Sequence, residues 1–395
     1  AFVGHDQLTD ESTVVLLVKD GAELDAAEQG SAVEIVTERT PFYGEAGGQV
    51  GDLGTITAAG LEVSVMETVK DPTGLIIHKG KILSGRLAKG DTVTLQVDRE
   101  KRQATQRNHT ATHILHAVLR QVLGDHVKQA GSRVAPDRFR FDFSHFSLID
   151  RETLDKIEEM VNARIRENVS TATVEMEAED AFKSGAMALF EEKYGDRVRV
   201  VSLADFSKEL CGGTHVAHTG DIGFFKIVSE SSVASGVRRI EAMTGQPAVK
   251  HVQQTAALLL EAAHLVKDSP EAVTSKVTKL ISDQKSLEKE VERLKAKLDT
   301  LSAAGAVDET KEINGVKVLT KRVIVDKPAA LRELADQFKD KIKSGIVVLG
   351  CTAGPKALLI AVVTADLVDR YHAGNIVKAL AGTVGGSGGG RPDMA

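Results

Sequence analysis

The chain has 395 residues, enough for two or three domains at the usual ~100–200 residues each. A hydrophobic fraction of 42% builds real cores and excludes disorder as the main state, and no apolar run approaches the ~18 residues of a membrane span. Fifty basic against 56 acidic side chains leave a net charge of −6, and 4% aromatics without a single Trp argue against binding single strands on rows of stacked bases.

Residues 1–100 carry 8 basic and 17 acidic side chains, a poor nucleic-acid surface by themselves. They read as β: short alternating or β-branched runs at 13–18, 32–36, 61–65 and 92–97, separated by turns such as Lys19-Asp20-Gly21 and Lys89-Gly90-Asp91. Closely spaced short strands predict a small barrel or sandwich. From Arg99 the period changes. Ala111, Ile114, Leu115, Val118, Leu119 and Val122 keep a helical spacing that Gly124 ends. A second helix is expected over 151–167, with strands at 138–143, 171–177, 197–203, 222–229 and 237–242, an α+β mixture.

Residues 248–304 read as helical. From Val273 through Val277, Leu280, Gln284, Leu287, Val291, Leu294 and Leu298 to Leu301, steps of four and three alternate, which predicts a coiled-coil seam with one polar position. Beyond Gly305 the chain alternates β and α, with strands at 315–319, 345–349 and 357–363 and helices at 328–343 and 373–383. The expected fold is α+β: a small β-barrel (1–100), an α+β metal-binding domain (101–246), a helical coiled-coil segment (247–304) and a small α/β domain (305–395). Cys211 and Cys351 cannot make a disulfide framework and fit a reducing, cytoplasmic setting. The opening Ala1-Phe2-Val3-Gly4-His5 does not resemble a signal peptide, and a start in mid-pattern reads as a piece of a longer protein.

Chemistry concentrates in two pairs, His109 with His113 and Cys211 with His215. On a helix, residues four apart share a face, so His109 and His113 can share a metal. That face is expected to open away from the stripe of Ile114, Leu115 and Val118. A lone His pair is more often surface or core. The second pair, enclosing Gly212-Gly213, turns the reading to N₃S ligation of one Zn²⁺ rather than Mg²⁺ or Ca²⁺. His116 lies one turn further, beside the ligands or merely exposed. Four protein ligands usually mark a structural zinc, because catalytic zinc keeps a position open. Two further motifs stand out. In Thr40-Pro-Phe-Tyr-Gly44-Glu-Ala-Gly47-Gly48-Gln49-Val-Gly51-Asp52 the glycines let backbone approach a ligand, or simply shape a hairpin. In Gly236-Val-Arg238-Arg239-Ile-Glu241 one arginine faces a phosphate or both form salt bridges.

These motifs, with Arg107-Asn108-His109 and Leu210-Cys211, resemble the editing region of the alanyl-tRNA synthetase family, and residues 305–395 resemble its C-terminal domain, including the glycine run 385–390 before Arg391-Pro392-Asp393. The resemblance implies a zinc-dependent aminoacyl-tRNA deacylase acting on tRNA(Ala) mischarged with Ser or Gly, with His109, His113, Cys211 and His215 as the zinc ligands. It implies a C-terminal domain that holds tRNA and a helical segment that supports a homodimer. The ATP-using class II aminoacylation domain has no counterpart in the motifs read here. Discrimination of a serine hydroxyl falls to Thr112 and Gln129, with Gln49 a further catalytic candidate. Arg107, Arg238, Arg239, Gly47 and Gly48 are the candidates for binding tRNA, with Lys101 and Arg102 adding phosphate contacts. The competing reading is a tRNA-binding and dimerising module with a structural zinc. A phosphodiesterase, suggested by the glycine run, is disfavoured because the Asp-His-His motif of such enzymes is missing from this sequence.

Overall fold

The computed structural model describes residues 1–188, 195–304, 310–325, 328–353 and 356–395, the side chains of 299–304, 353 and 356 aside. Helices and strands are mixed throughout, and the chain divides into two compact units, 1–259 and 260–395.

The N-terminal part is a closed barrel of six antiparallel strands. Around the barrel they run Thr9–Lys19, Ala32–Thr37, Ile76–Ser84, Leu61–Lys70, Gly54–Ala58 and Thr92–Val97, and the last pairs back onto the first. Alternate residues fill it: Val14, Leu17, Ile35, Ile56, Val63, Val65, Ile82 and Leu95 are all buried. Two of these strands, Gly54–Ala58 and Ile76–Ser84, escaped the sequence reading. The second carries His78 and Gly80 in mid-strand. His78 is buried between Thr40 Oγ1 (2.7 Å) and the Ile35 carbonyl (2.9 Å), and burial holds its imidazole down at about 4. A Cβ on Gly80 would come within 2.6 Å of the Ser64 carbonyl oxygen, so the neighbouring strand requires glycine there.

Helix α1 spans Arg99–Leu123. Asp98 caps it by accepting from the Lys101 N–H (3.1 Å), and Gly124 at φ 112° ends it. Helix α2 spans Arg151–Arg166, capped by Asp150. Both pack on a four-stranded antiparallel sheet ordered Gln129–Val134, Phe139–Ser144, Val237–Thr244, Phe225–Ala234. Ala111, Ile114, Leu115 and Val118 meet Phe139, Phe141, Ile240 and Ile157 in that core. The strand expected from 222 begins instead at Phe225, because Thr219–Ile222 forms a 3-10 turn that Gly223 closes at φ 71°. A separate three-stranded sheet joins Thr171–Glu177, Arg197–Leu203 and Ser207–Leu210, with the short helix α3 (Ala178–Lys183) beside it.

The helical segment consists of helix α4 (Gly245–Val266) and helix α5 (Val273–Ala304); Lys267 at φ 55° and a turn at Pro270–Ala272 separate them. The seam positions Val277, Leu280, Leu287, Val291, Leu294 and Leu298 are exposed, while the Leu301 side chain lies outside the described residues. In the C-terminal unit, Lys311–Ile313, Val316–Arg322, Ile346–Ala353 and Lys356–Val363 form one sheet. Helix α6 (Pro328–Ile342) covers one face through Leu331, Leu334 and Phe338, and helix α7 (Ala373–Thr383) the other through Ala373 and Val377. No helix among the described residues is long and apolar enough to cross a membrane.

One buried ion pair ties α1 to the barrel. Arg102 is 1% exposed and its guanidinium engages Asp52, the Gly4 carbonyl (2.6 Å) and the Pro41 carbonyl (2.8 Å). Removing one partner of such a pair strands the other charge. Arg102→Met is therefore expected to cost about 3–5 kcal/mol. Chemical denaturation followed by circular dichroism measures it, and a midpoint indistinguishable from wild type would contradict it.

Candidate metal centre

Helix α1 sets His109 and His113 one turn apart, and the turn after strand Ser207–Leu210 brings Cys211 and His215 over them. The four ligand atoms lie within 4.8 Å of one another. Cys211 Sγ stands 3.4 Å from His109 Nε2 and 3.3 Å from His215 Nε2. The His109 and His215 rings are 4.4 Å apart, those of His113 and His215 4.8 Å.

Each imidazole is held at its other nitrogen, and the partners decide its tautomer. Gln49 Oε1 accepts the Thr214 backbone N–H (2.9 Å), so the amide oxygen must face that side, and His109 Nδ1, 2.7 Å away, donates to it. Thr110 Oγ1 gives its proton to the Gln106 carbonyl (3.0 Å) and so accepts from His215 Nδ1 (3.1 Å). His113 Nδ1 lies 2.6 Å from Glu209 Oε2. The Nε2 lone pairs of His109 and His215 are left for a common ligand, and that of His113 is freed when its Nε2 proton is displaced, which is how outer partners orient metal-binding histidines.

The charges agree. Burial alone would raise the Cys211 thiol, but His109 and His215 overrule it and hold it well below the ordinary thiol range. Burial would depress His113, but the Glu209 carboxylate lifts it to about 10; Glu209, despite its own burial, is pulled down to about 2 by His113 and His116. Burial and His109 keep His215 neutral, at about 3. Three imidazole nitrogens and a thiolate in a buried cluster are the donor set of tetrahedral Zn²⁺, and the residues fit it.

Two points are decided here. The histidine face of α1 turns away from its apolar stripe and is itself covered: the segment from His109 to His116 is buried, with the Cys211 turn and Glu209 against the histidines. Of the two readings of His116, the one beside the ligands holds: its Nδ1 meets Glu209 Oε1 at 2.8 Å, so one carboxylate bridges two turns of α1. Glu209, Thr110 and Thr214 went unnoticed in the sequence, since nothing in Lys-Glu-Leu distinguishes a buried bridge from a surface residue.

Of the cluster, His109, His113 and Cys211 line a cavity of about 570 Å³, together with Thr112, Gln129, Gly47 and Tyr43. Thr112 Oγ1 donates to the His109 carbonyl (2.6 Å), which leaves its lone pairs to accept. Gln49 is off this wall, fully buried behind His109. Gly47 (φ 57°) lines the cavity; Gly48 (φ 82°) presses on strand Gln129–Val134, where a Cβ would come within 2.6 Å of the Ser132 carbonyl oxygen. The arginines chosen from the sequence are elsewhere. Arg102 is locked to Asp52 and is unavailable to a phosphate. Arg238 pairs with Glu230, and Arg239 with Asp142 at 2.6 Å, across adjacent strands. Arg107 lies against Gly245, with Asp221 the nearest charge acting on it. The cations on the wall are Lys70, Arg197 and Arg199. Arg199 donates to the carbonyls of Cys211 (2.9 Å) and Gly213 (2.7 Å). The period-two spacing of Arg197 and Arg199 was the available signal.

Three family models match the chain. Residues 198–241, which carry Glu209, Cys211 and His215, match the threonyl and alanyl tRNA synthetase second additional domain, and 315–395 match the DHHA1 domain. Residues 1–101, essentially the six-stranded barrel, match the class II (A) tRNA synthetases. Alanine–tRNA ligases align along the whole chain: that of Desulfosudis oleivorans at 57% identity, that of Shewanella amazonensis at 50% and that of Halorhodospira halophila at 48%. Over its whole length the chain is similar to one part of the alanine–tRNA ligases. It spans 45% of the length of each of these relatives. Among solved structures, the C-Ala domain of Aquifex aeolicus alanyl-tRNA synthetase is matched at 22% identity over 22% of this chain and 77% of that one, with a TM-score of 0.21.

The Gly212-Gly213 turn is a sharp test of the centre. A Cβ on Gly213 would sit 2.0 Å from His109 Cε1 and 2.8 Å from Gln49 Oε1. Gly213→Ala must displace the ring or the turn, and Cys211→Ala removes the thiolate. Each is expected to lower zinc affinity at least as much as the ~10–100-fold typical of losing an outer partner. Zinc content and competition with a chromogenic chelator measure it; wild-type affinity in both variants would exclude this centre.

Proposed function

We propose that this chain is the editing portion of an alanine–tRNA ligase, a zinc-dependent aminoacyl-tRNA deacylase that hydrolyses the ester of Ser-tRNA(Ala) and Gly-tRNA(Ala). The observation that carries the reading is the N₃S cluster at the wall of a cavity that also presents Thr112, Gln129 and three cations. The physical need is clear. A pocket built for alanine cannot strongly reject serine, which adds one hydroxyl, or glycine, which lacks one methyl; such differences are worth only ~1–3 kcal/mol.

On this reading the residues divide the work. Lys70, Arg197 and Arg199 attract the phosphates of the tRNA end, and the Gly47 backbone allows close approach. Thr112 and Gln129 match the serine hydroxyl, so that an alanine methyl leaves them unpaired. His109, His113, Cys211 and His215 would hold the zinc, whose chemistry when bound would be that of a Lewis acid at the ester end. Gln49, Glu209 and Thr110 keep the imidazoles in register. Residues 1–100 and 101–246 make up the editing region, 247–304 the helical link, and 305–395 the part that holds tRNA. The working compartment is the cytoplasm.

A second reading has one observation in its favour. Four protein side chains converge, the number structural zinc sites use, which would leave a tRNA-holding module without activity of its own. Single-turnover hydrolysis separates the two. Wild type is expected to hydrolyse Ser-tRNA(Ala) much faster than Ala-tRNA(Ala). Thr112→Val is expected to shrink that ratio about two- to tenfold, the worth of one hydrogen bond, with zinc content unchanged. No hydrolysis of either substrate by zinc-loaded wild type would establish the inactive module.

The exposed seam on α5 supports a homodimer. Val277, Leu280, Leu287, Val291 and Leu294 leave an apolar stripe whose burial a second helix supplies. Sedimentation at micromolar concentration is expected to show dimer. Replacing Leu287 and Leu294 by Lys is expected to give monomer with unchanged zinc content, and wild type sedimenting as monomer would refute intermolecular pairing.

A further inference from the structure

The loop that leaves strand Phe139–Ser144 carries two large apolar side chains into solvent. Phe146 is 88% exposed and Leu148 76%. In the same core Phe139, Phe141, Phe143 and Phe225 are fully buried, so this ring is out of keeping with its neighbours. It is also anchored. His145 N donates to the Gly236 carbonyl (2.9 Å), and the Phe146 ring lies over Gly236, where an added Cβ would come within 2.9 Å of Cε1. The loop is therefore presented, not dangling.

A run of flat rings leads from inside to His145, the residue before Phe146. Phe141 and Phe143 stack at 6.0 Å, Phe143 and His145 stand 6.4 Å apart, and His145 stacks on His126 at 5.2 Å and 22°. His126 Nε2 and His145 Nδ1 are hydrogen-bonded at 2.9 Å. Burial, with His126 and Arg238 nearby, holds the His145 imidazole below its ordinary value, so that ring offers a neutral face. Lys128, exposed and joined to this column through its backbone N–H, which donates to Ser144 Oγ (2.9 Å), is the cation beside it; Arg238 is held by Glu230.

The loop is also continuous with the cavity. Gln129 lines the cavity and pairs with Phe143 across the two strands; Lys128 and Ser144 are the next residues along. Phe146 follows Ser144 by two residues, at most ~7 Å of extended chain. We propose that Phe146, lying over Gly236 and next in the chain to His145, stacks an unpaired nucleobase of the RNA strand whose end enters the cavity. The inference rests on the tRNA reading above and adds a contact outside the site that reading uses. An exposed ring beside a lysine suits a base, because every base has a π-face and its strand carries phosphates. The low aromatic content excludes rows of such rings, not a single one.

The absence of Trp makes the test direct: Phe146→Trp introduces the chain's sole indole. The probes are an RNA minihelix ending in four unpaired nucleotides and a blunt duplex of the same stem, with binding measured independently by filter retention. Emission is expected to be quenched by the first and not by the second. Phe146→Ala is expected to raise KM for Ser-tRNA(Ala) about fivefold or more, with kcat and zinc content held and KM restored by Phe146→Tyr. Unquenched emission at saturating minihelix, or an unchanged KM, overturns the proposal. So does loss of dimer on sedimentation of Phe146→Ala, which would make the loop a contact between copies of the chain. Wild type that hydrolyses Ser-tRNA(Ala) while Phe146→Ala keeps its KM removes only this inference; wild type that neither binds nor hydrolyses it removes both.

Discussion

The centre depends on one buried amide. Gln49 arrives on the glycine-rich loop between barrel strands, accepts from the Thr214 N–H and from His109 Nδ1, and donates from Nε2 to Thr214 Oγ1 (3.0 Å). It thereby joins three segments far apart in sequence: the loop, α1 and the turn bearing Cys211. Because a backbone N–H can only donate, the amide orientation is forced, and with it the proton on His109 Nδ1. Everything downstream follows from that proton: a free Nε2, a direction for it, and a thiolate partner 3.4 Å away. The glycines around Gln49 serve this contact. Gly48 lets the loop lie on strand Gln129–Val134, with Val134 N donating to its carbonyl at 2.7 Å, and Gly213 leaves room for the His109 ring.

The same logic recurs at a larger scale. Arg102, seven residues before His109 on α1, holds Asp52, and Asp52 in turn accepts from the Tyr43 N–H at 2.6 Å. Both ends of the loop that carries Gln49 are therefore fixed by the helix that carries the histidines. A buried ion pair is weak evidence for stability in itself, since desolvation offsets much of its attraction. Here its three-way satisfaction, carboxylate plus two carbonyls, sets the position of α1 against the barrel, and that position decides where the ligands fall.

What could be read from the sequence was what depends on near neighbours. The strands at 171–177 and 197–203 and the helix at 373–383 coincide with observed elements, because each carries its own periodicity and its own stops. The pairing of His109 with His113, and of Cys211 with His215, is likewise a short-range pattern. Ile76–Ser84 was missed because His78 and Gly80 interrupt its apolar rhythm, and their reasons, Thr40 and Ser64, lie on other strands. Glu209 was missed because its importance comes from imidazoles more than ninety residues away, and Gln49 was taken for a group facing substrate because nothing local reveals that it sits behind a histidine. Distant partners decided each of these cases.

Charge shows most plainly why partners matter more than residue type. The arginines with the strongest sequence context, Arg238 and Arg239, sit in a hairpin opposite Glu230 and Asp142, and each is paired there. A guanidinium already held by a carboxylate gains little from a phosphate, because binding one means losing the other. Among the described residues, Lys70, Arg197 and Arg199 form no ion pair, and all three line the cavity. Arg199 spends one nitrogen on the carbonyls of Cys211 and Gly213, neutral acceptors that fix its direction without cancelling its charge. A chain of net charge −6 thus keeps unneutralised positive charge where an anionic strand would enter, and that local arrangement, rather than the total, governs what the cavity attracts.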